Sequence, residues 1–214
     1  MIGSVPVLLV ASVKGGAGKT TCSVHLAEAA EVAGIKALVV DSDPQQSAAS
    51  WYGEAQEAGA PLRSSCLEAP TKELAHLVSD RAVRLKPGLI VIDSPNRDLD
   101  ILRAALQVAD LVVIPTAPTT MELPRVWPMV DLAEEAGREA WVLINKADSR
   151  SPGATATARE LLREGEARIC QHAIPYRQIY AQARAGRPSA WRLNPFSAVL
   201  EELWPAAKLL EVVG

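Results

Sequence analysis

The chain has 214 residues, of which 49% are hydrophobic and 22% charged, with a formal net charge of −3. A chain of this length and apolar content can bury one full core, so we expect a single domain over residues 1–214. The small negative charge excludes a general attraction to nucleic acid, so any such contact has to be local. The three cysteines are far apart in sequence, which excludes a disulfide framework and favours a reducing cytoplasm.

The predicted elements alternate between strand and helix along the chain. Strands are predicted over residues 5–11, 37–40, 62–66, 89–92, 111–114, 141–144 and 169–174. Helices are predicted over residues 22–33, 46–58, 71–85, 99–109, 120–137 and 154–165, and from Pro195 onward with a kink at Pro205. Pro124 and Pro128 predict that helix 120–137 starts late or bends. This alternation indicates right-handed β-α-β crossovers and an α/β fold with a doubly wound, mostly parallel sheet flanked by helices.

A glycine-rich segment, residues 13–21, joins the first strand to the first helix. Its glycines let backbone N–H groups turn inward, and the helix start adds unpaired donors, which together make a phosphate cradle. Lys19 can reach the β- and γ-phosphates, and the Thr20 hydroxyl can bind Mg²⁺. The strict G-x-x-x-x-G-K-[ST] pattern is broken by Val13 at its first glycine. A second lysine, Lys14, stands five residues before Lys19.

This segment resembles the deviant Walker A motif of the ParA/MinD family of P-loop ATPases. The resemblance implies ATP and Mg²⁺ as ligands and a homodimer that forms when ATP binds. Residues implied to bind the nucleotide are Lys14, Gly15, Gly16, Ala17, Gly18, Lys19, Thr20 and Thr21. In the family the extra lysine, here Lys14, reaches across the dimer to the partner's phosphates. A mobile point charge on a long stem suits oxygens that it meets only on closure.

Aspartates stand at the ends of two predicted strands. Asp93 resembles the Walker B aspartate and would hold the Mg²⁺ water shell near Thr20; the alternative is a helix cap. Residues 41–45 match the family's Asp-x-Asp-Pro-Gln segment. The resemblance implies that Asp43 is catalytic and orients the attacking water, and that Asp41 faces Mg²⁺ through water. The alternative for Asp41 is a cap on the turn after the strand.

Two later segments are candidates for contacts with the nucleotide base. Residues 145–148 read N-K-x-D, the guanine signature of GTPases. However, the D-x-x-G switch that accompanies it has Asn96 where its glycine should be. We therefore interpret Asn145 as an adenine contact and favour ATP over GTP, and Asp148 is either the guanine acceptor of the GTP alternative or a loop cap. Residues 173–177 resemble the family segment that closes over the base, so Pro175 and Tyr176 are predicted to flank adenine; an ordinary turn is the alternative.

The C-terminal third carries a local excess of basic residues. From Arg150 to Arg192 there are eight arginines and three glutamates. Four of these arginines have no acidic residue among them and are the predicted DNA-binding residues: Arg177, Arg184, Arg187 and Arg192. We expect the ATP dimer to hold DNA phosphates without sequence preference through these side chains.

The leading hypothesis is a small ParA-type partition ATPase without an N-terminal helix-turn-helix domain. The resemblance then implies slow intrinsic hydrolysis, a ParB-type centromere-binding partner that stimulates it, and a cytoplasmic, nucleoid-associated protein. The first alternative is a MinD-like positioning ATPase, although residues 206–214 are weakly suited to an interfacial anchor and no stable membrane anchor is expected. The second is a metabolic P-loop ATPase or synthase. A cluster-dependent reductase is disfavoured because the cysteines lack ligand spacing.

Overall fold

The computed structural model describes residues 5–181, 188 and 190–208. Its strands are β1 (Val7–Val10), β2 (Ala37–Asp41), β3 (Ser65–Glu68), β4 (Leu89–Asp93), β5 (Leu111–Thr116), β6 (Glu139–Ile144) and β7 (Arg168–Ile169). Its helices are α1 (Lys19–Val32), α2 (Ser47–Glu57), α3 (Leu74–Leu85), α4 (Leu99–Val108), α5 (Trp127–Glu135), α6 (Pro152–Glu164), α7 (Gln178–Ala181) and α8 (Ala190–Lys208), with a 3₁₀ turn at Leu123–Arg125.

The seven strands form one sheet in the order β3-β2-β4-β1-β5-β6-β7, and every described pairing is parallel. This confirms the predicted fold class. Strand β1 lies in the middle, between β4 and β5, with Val10 opposite Asp93 and Val113. Because parallel strands point the same way, the polar residues that follow β1, β2 and β4 meet at one edge of the sheet.

Both faces of the sheet are buried, which explains why the central strands β2, β4, β1 and β5 are apolar except at their carboxyl ends. Leu8 and Val10 pack with the layer formed by α1, α2 and α8. Val7 and Leu9 pack with the opposite layer, formed by α3, α4, α5 and α6. The period of two along a strand thus sends alternate side chains of β1 into separate halves of the core.

Several element boundaries differ from the predicted ones. Helix α1 begins at Lys19, inside the glycine-rich segment, and β3 begins at Ser65 rather than at residue 62. Strand β7 ends at Ile169 and does not extend to residue 174. The late start predicted for helix 120–137 is confirmed, since a 3₁₀ turn precedes α5.

The last helix begins at Ala190, so its predicted start at Pro195 is wrong. Proline removes one helical hydrogen bond but does not end a helix whose neighbours are held by packing. Leu193 and Phe196, on either side of Pro195, are both almost completely buried. Their burial keeps the chain helical through the proline.

Candidate functional site

The glycine-rich loop is shaped by backbone conformations that only glycine adopts easily. Gly16 and Gly18 have φ values of 82° and 94°. At Gly18, an added Cβ would lie 2.4 Å from Nδ2 of Asn145. Gly18 also directly precedes α1, so the loop delivers its backbone N–H groups to the helix start, where anions bind.

Lys19 lies inside this loop with only 6% of its surface exposed. Its ammonium group donates a hydrogen bond to Oδ1 of Asn96. Burial lowers the pKa of Lys19, while the nearby carboxylates of Asp93 and Asp43 act in the opposite direction. The side chain is thus held as a buried cation donor at the position where phosphate oxygens would bind.

Asp43 lies close to Lys19 and is connected to it through Asn96. Its Oδ2 accepts a hydrogen bond of 2.9 Å from Nδ2 of Asn96, and its Oδ1 accepts one of 2.9 Å from the backbone N–H of Gln45. An open cavity of about 860 Å³ lies beside this group, and its lining includes Gly15, Asp43 and Asn96. Asp43 is therefore oriented at the cavity edge, and its role in orienting the attacking water stays a prediction.

Thr20 and Asp93 form the second polar group of the site. Oγ1 of Thr20 donates to Oδ2 of Asp93 over 2.7 Å, and Oγ of Ser23 lies 3.2 Å from Oδ1 of Asp93. Burial raises the pKa of Asp93 to about 7, and the hydrogen bonds from Thr20 and Ser23 partly offset this rise. A nearby divalent cation would favour the ionised carboxylate.

The residues present fit a Mg²⁺ ion of the P-loop type. Such an ion takes one hydroxyl and the phosphate oxygens as direct ligands and reaches the carboxylate through water. Thr20 and Asp93 supply this hydroxyl and carboxylate side by side. Among residues 5–181, 188 and 190–208 there is no group of three or more His, Cys, Asp or Glu side chains arranged to hold a metal by itself.

Asp41 is fully buried at the end of β2 and holds the backbone that follows it. Its Oδ1 accepts from the N–H of Asp43 over 3.1 Å and its Oδ2 accepts from the N–H of Ala49 over 2.9 Å. Burial raises the pKa of Asp41. The carboxylate thus fixes the turn that carries Asp43 and the first turn of α2, and its contribution to a Mg²⁺ site stays a prediction.

Lys14 forms an ion pair with Glu122 of the same chain. The two side chains are 37% and 19% exposed, so the pair lies at the surface beside the loop. Glu122 comes from the segment between β5 and the 3₁₀ turn, far from Lys14 in sequence. The second lysine of the loop therefore has an acidic partner within a single chain.

The segment after β6 holds the glycine-rich loop from the other side. Nδ2 of Asn145 donates to the carbonyl of Ala17 over 2.9 Å, and Nζ of Lys146 donates to the carbonyl of Gly16 over 2.6 Å. Oδ1 of Asn145 accepts from the backbone N–H of Lys146. The Asn145 amide is 5% exposed and fixes the loop, and its predicted contact with adenine stays a prediction.

The two predicted base segments lie next to each other. Ala147 and Pro175 form a parallel bridge, and the N–H of Tyr176 donates to the carbonyl of Ala147 over 2.7 Å. The Tyr176 side chain is 57% exposed. Both carboxylate oxygens of Asp148 accept from the Arg150 guanidinium, which lowers the pKa of Asp148 to about 2. Asp148 therefore organises its own loop, the alternative given above.

The predicted DNA-binding residues fall only partly within the described residues. Arg177 is exposed, at the start of the segment that leads into α7, and Arg192 belongs to α8. Arg184 and Arg187 lie outside the described residues.

The residues of the site that the sequence analysis did not assign include Asn96, Glu122 and Lys146. Asn96 stands where a guanine switch would have glycine, and this departure from the pattern is the feature of the sequence that points to it. Lys146 belongs to the N-K-x-D pattern, so its proximity to the loop was foreseeable. Glu122 carries no motif, and only the fold brings it to Lys14.

The glycine-rich loop and the sheet edge described above correspond to a known family. Residues 8–187 match the family described as the CobQ/CobB/MinD/ParA nucleotide binding domain. The chain belongs to this family. The resemblance to ParA and MinD proteins that the loop indicated is therefore confirmed.

Individual members of the family show how far the similarity extends. The "Maintenance of carboxysome distribution protein A" of Gloeobacter kilaueensis is 38% identical over 160 residues, which cover 74% of this chain and 71% of that protein. "Protein ParA" of Rhizobium radiobacter is 31% identical over 119 residues, or 55% of this chain and 51% of that protein. The chain thus matches about half of the length of that ParA.

A solved structure supports the fold. Cobyrinic acid a,c-diamide synthase from Mycobacterium smegmatis, with bound ATP analog and magnesium, superposes with a TM-score of 0.76 over 96% of both chains. The two sequences are 19% identical, so this likeness shows a shared fold and no more.

Proposed function

We propose that this protein is a ParA-like ATPase whose ATP-bound form is a sandwich homodimer and whose turnover releases that dimer. The observation that carries the proposal is the loop with two lysines: Lys19 buried within it, and Lys14 at its surface. The neighbouring Thr20–Asp93 pair supports Mg²⁺ as the second ligand. When bound, ATP and Mg²⁺ supply the phosphoanhydride and the charge neutralisation for hydrolysis.

Each lysine has a separate part in this proposal. Lys19 would contact the phosphates of the ATP bound to its own chain, so it would contribute to nucleotide affinity. Lys14 is paired with Glu122 and would exchange that carboxylate for the partner's phosphates when two nucleotide sites face each other. Facing phosphates repel, and a lysine from each side offsets that repulsion.

Asp43 would orient the attacking water. Its two hydrogen bonds hold the carboxylate at the cavity edge near Lys19. Catalysis of phosphoryl transfer consists largely of such positioning. Asn96 in place of the glycine of the D-x-x-G switch supports adenine over guanine.

Light scattering with Mg²⁺ and either ATP or ADP, combined with nucleotide titration, tests this function. The parent should dimerise with ATP and stay monomeric with ADP.

Lys14→Ala should bind ATP as a monomer without hydrolysis, whereas Lys19→Ala should lose nucleotide affinity. Asp43→Ala should dimerise and persist in the ATP state, with little single-turnover hydrolysis. Lys36→Ala is the control with the same charge change, because Lys36 is exposed and directly precedes β2, at the end of that strand opposite to Asp41. An ATP dimer of normal affinity in Lys14→Ala would refute this role of the lysine.

The cargo is the finer part of the proposal. We propose that the ATP dimer holds DNA without sequence preference and is released by a partner protein, of the ParB type if the cargo is a replicon. The relative at 38% identity is named for carboxysome distribution, and this favours a protein assembly as a second class of cargo.

No helix in the described part of the chain is both long and apolar enough to cross a membrane. DNA retardation and liposome pelleting, each with ATP and with ADP, would distinguish DNA from membrane as the surface.

A further inference from the structure

Asn96 joins the two functional groups of the site. It lies in the loop that follows β4, three residues after Asp93. Its Oδ1 accepts from the ammonium group of Lys19, and its Nδ2 donates to Oδ2 of Asp43 over 2.9 Å. The residue is half-buried and lines the cavity beside the glycine-rich loop.

The chemistry of its two neighbours fixes the orientation of the Asn96 amide. A lysine ammonium can only donate, and an ionised carboxylate can only accept. Turning the amide over would therefore lose both hydrogen bonds. Asp43 is held at its other oxygen by the N–H of Gln45, so the Asn96 amide completes a two-point clamp on this carboxylate.

The same amide also lies near Gly15 of the glycine-rich loop. A Cβ added at Gly15 would lie 4.0 Å from Oδ1 of Asn96. Asn96 is thus placed between the lysine that would bind phosphate and the carboxylate that would orient water.

We propose that Asn96 is a positioning residue for ATP hydrolysis, one that holds Asp43 through Nδ2 and offers Lys19 a resting acceptor at Oδ1. The inference rests on the proposed function. When Lys19 turns to the phosphates it leaves Oδ1, while the bond from Nδ2 to Asp43 is kept. Loss of the amide should therefore reduce kcat through Asp43 and leave ATP affinity unchanged or slightly higher.

Two substitutions separate the two ends of the amide. In Asn96→Ala both hydrogen bonds are lost, and we expect kcat to fall by up to about 100-fold, the effect of a misplaced group, with KM for ATP not raised. In Asn96→Asp the shape is kept and the acceptor for Lys19 stays, but the donor to Asp43 is lost. This variant should lose kcat as well, and it should also bind ATP more weakly because its carboxylate pairs with Lys19 and repels phosphate.

A double-mutant cycle with Asp43→Ala distinguishes positioning from a general structural effect. If Asn96 acts through Asp43, adding Asn96→Ala to Asp43→Ala should not lower the residual single-turnover rate further. An additive loss, or parental kcat in both single variants, would overturn the proposal. Asn194→Ala, an exposed amide on α8, is the matched control and should behave like the parent.

The outcomes also separate this inference from the function on which it rests. If the parent itself does not hydrolyse ATP, the proposed function fails. Titration of the parent and of Asn96→Asp with a fluorescent ATP analogue then still tests the contact with Lys19. Equal affinities in that titration would refute the proposal whatever the turnover of the parent.

Discussion

Among single residues of the site, Gly18 occupies a position that cannot accommodate a side chain. Its φ of 94° is unfavourable for any residue with a Cβ, and a Cβ there would lie 2.4 Å from Nδ2 of Asn145. Gly18→Ala should therefore displace Asn145 from Ala17, lower stability by about 1–3 kcal/mol and weaken nucleotide binding. Urea denaturation and nucleotide titration measure the two effects.

The control for this change is another glycine-to-alanine substitution. Gly53 lies exposed in α2, with no atom within 4 Å of an added Cβ. Gly53→Ala should stabilise the protein by about 0.5–1 kcal/mol, the helix propensity difference, and leave nucleotide binding unchanged. If both variants lose nucleotide affinity equally, the loop geometry is not the cause.

Glu122 is expected to oppose dimerisation, because its carboxylate holds Lys14 within one chain. Glu122→Gln keeps the shape and removes the charge, so Lys14 is freer to meet the partner's phosphates. We expect the ATP dimer to form at a lower protein concentration, by roughly two- to fivefold for the loss of a partly exposed ion pair. Light scattering at several protein concentrations measures the concentration at which half of the protein is dimeric with ATP, and Glu134→Gln on the exposed face of α5 is the control. If this concentration is the same in Glu122→Gln and the parent, the ion pair does not limit dimerisation.

The residues of the site were predictable to different degrees for a physical reason. Lys19, Thr20 and Asp93 each belong to a local pattern whose chemistry is independent of the rest of the chain. Asn96 and Glu122 act through contacts between segments that are far apart in sequence, and polar residues of these types occur in most loops. Only the register of the parallel strands brings Asn96 to Asp43.

At the scale of secondary-structure elements, one buried carboxylate connects α1 to the start of β3. Glu28 is fully buried, and its Oε1 accepts from the N–H groups of Arg63 and Ser64 over 2.8 and 2.9 Å and from Oγ of Ser64 over 2.8 Å. Glu28→Ala would leave the N–H groups of Arg63 and Ser64 without this acceptor, while the Ser64 hydroxyl keeps its contact with the Tyr52 hydroxyl. We expect a loss of about 2–4 kcal/mol in the free energy of unfolding.

Urea denaturation of Glu28→Ala, beside Glu54→Ala on an exposed position of α2, measures this loss. Glu28→Gln keeps one acceptor oxygen, so its free energy of unfolding should lie between those of Glu28→Ala and the parent. A loss under 1 kcal/mol in Glu28→Ala would show that water or a shifted loop satisfies the donors.

The contacts of Glu28 also explain why the start of β3 was misplaced. The sequence analysis predicts a strand over residues 62–66, but the N–H groups of Arg63 and Ser64 bond to Glu28 and are not available to the sheet. The buried strands β1, β2, β4 and β5 were predictable because each contains a short apolar run, rich in Val, Leu and Ile, that is too short for a helix. Boundaries depend on long-range hydrogen bonds, and a local pattern does not contain them.

Across the whole molecule, the sheet order gathers the proposed catalytic residues at one edge, while the four arginines predicted to bind DNA lie in the C-terminal third of the sequence. Strands β2, β4, β1 and β5 are adjacent, so Asp43, Asn96 and the glycine-rich loop meet. The segment of residues 173–177 is joined to the same edge by the bridge between Ala147 and Pro175. Closure of two nucleotide sites would therefore also bring the two segments of residues 173–177 into a defined relation.

This arrangement predicts DNA binding that depends on both ATP and salt. One chain offers few phosphate contacts, too few to hold DNA at physiological salt, whereas a dimer doubles them. Removing the charges of Arg184 and Arg187 should weaken binding to all DNA sequences equally. It should also reduce the slope of log affinity against log salt by roughly two to four, because the dimer would lose about that many phosphate contacts. The ATP dimer itself should be unaffected. Fluorescence anisotropy at two salt concentrations, with ATP and with ADP, measures both quantities.

A variant with Arg81 and Arg84 on α3 replaced by alanine has the same change in net charge and should bind DNA like the parent. If the two double variants lose affinity to the same degree, net charge and not the C-terminal arginines governs binding.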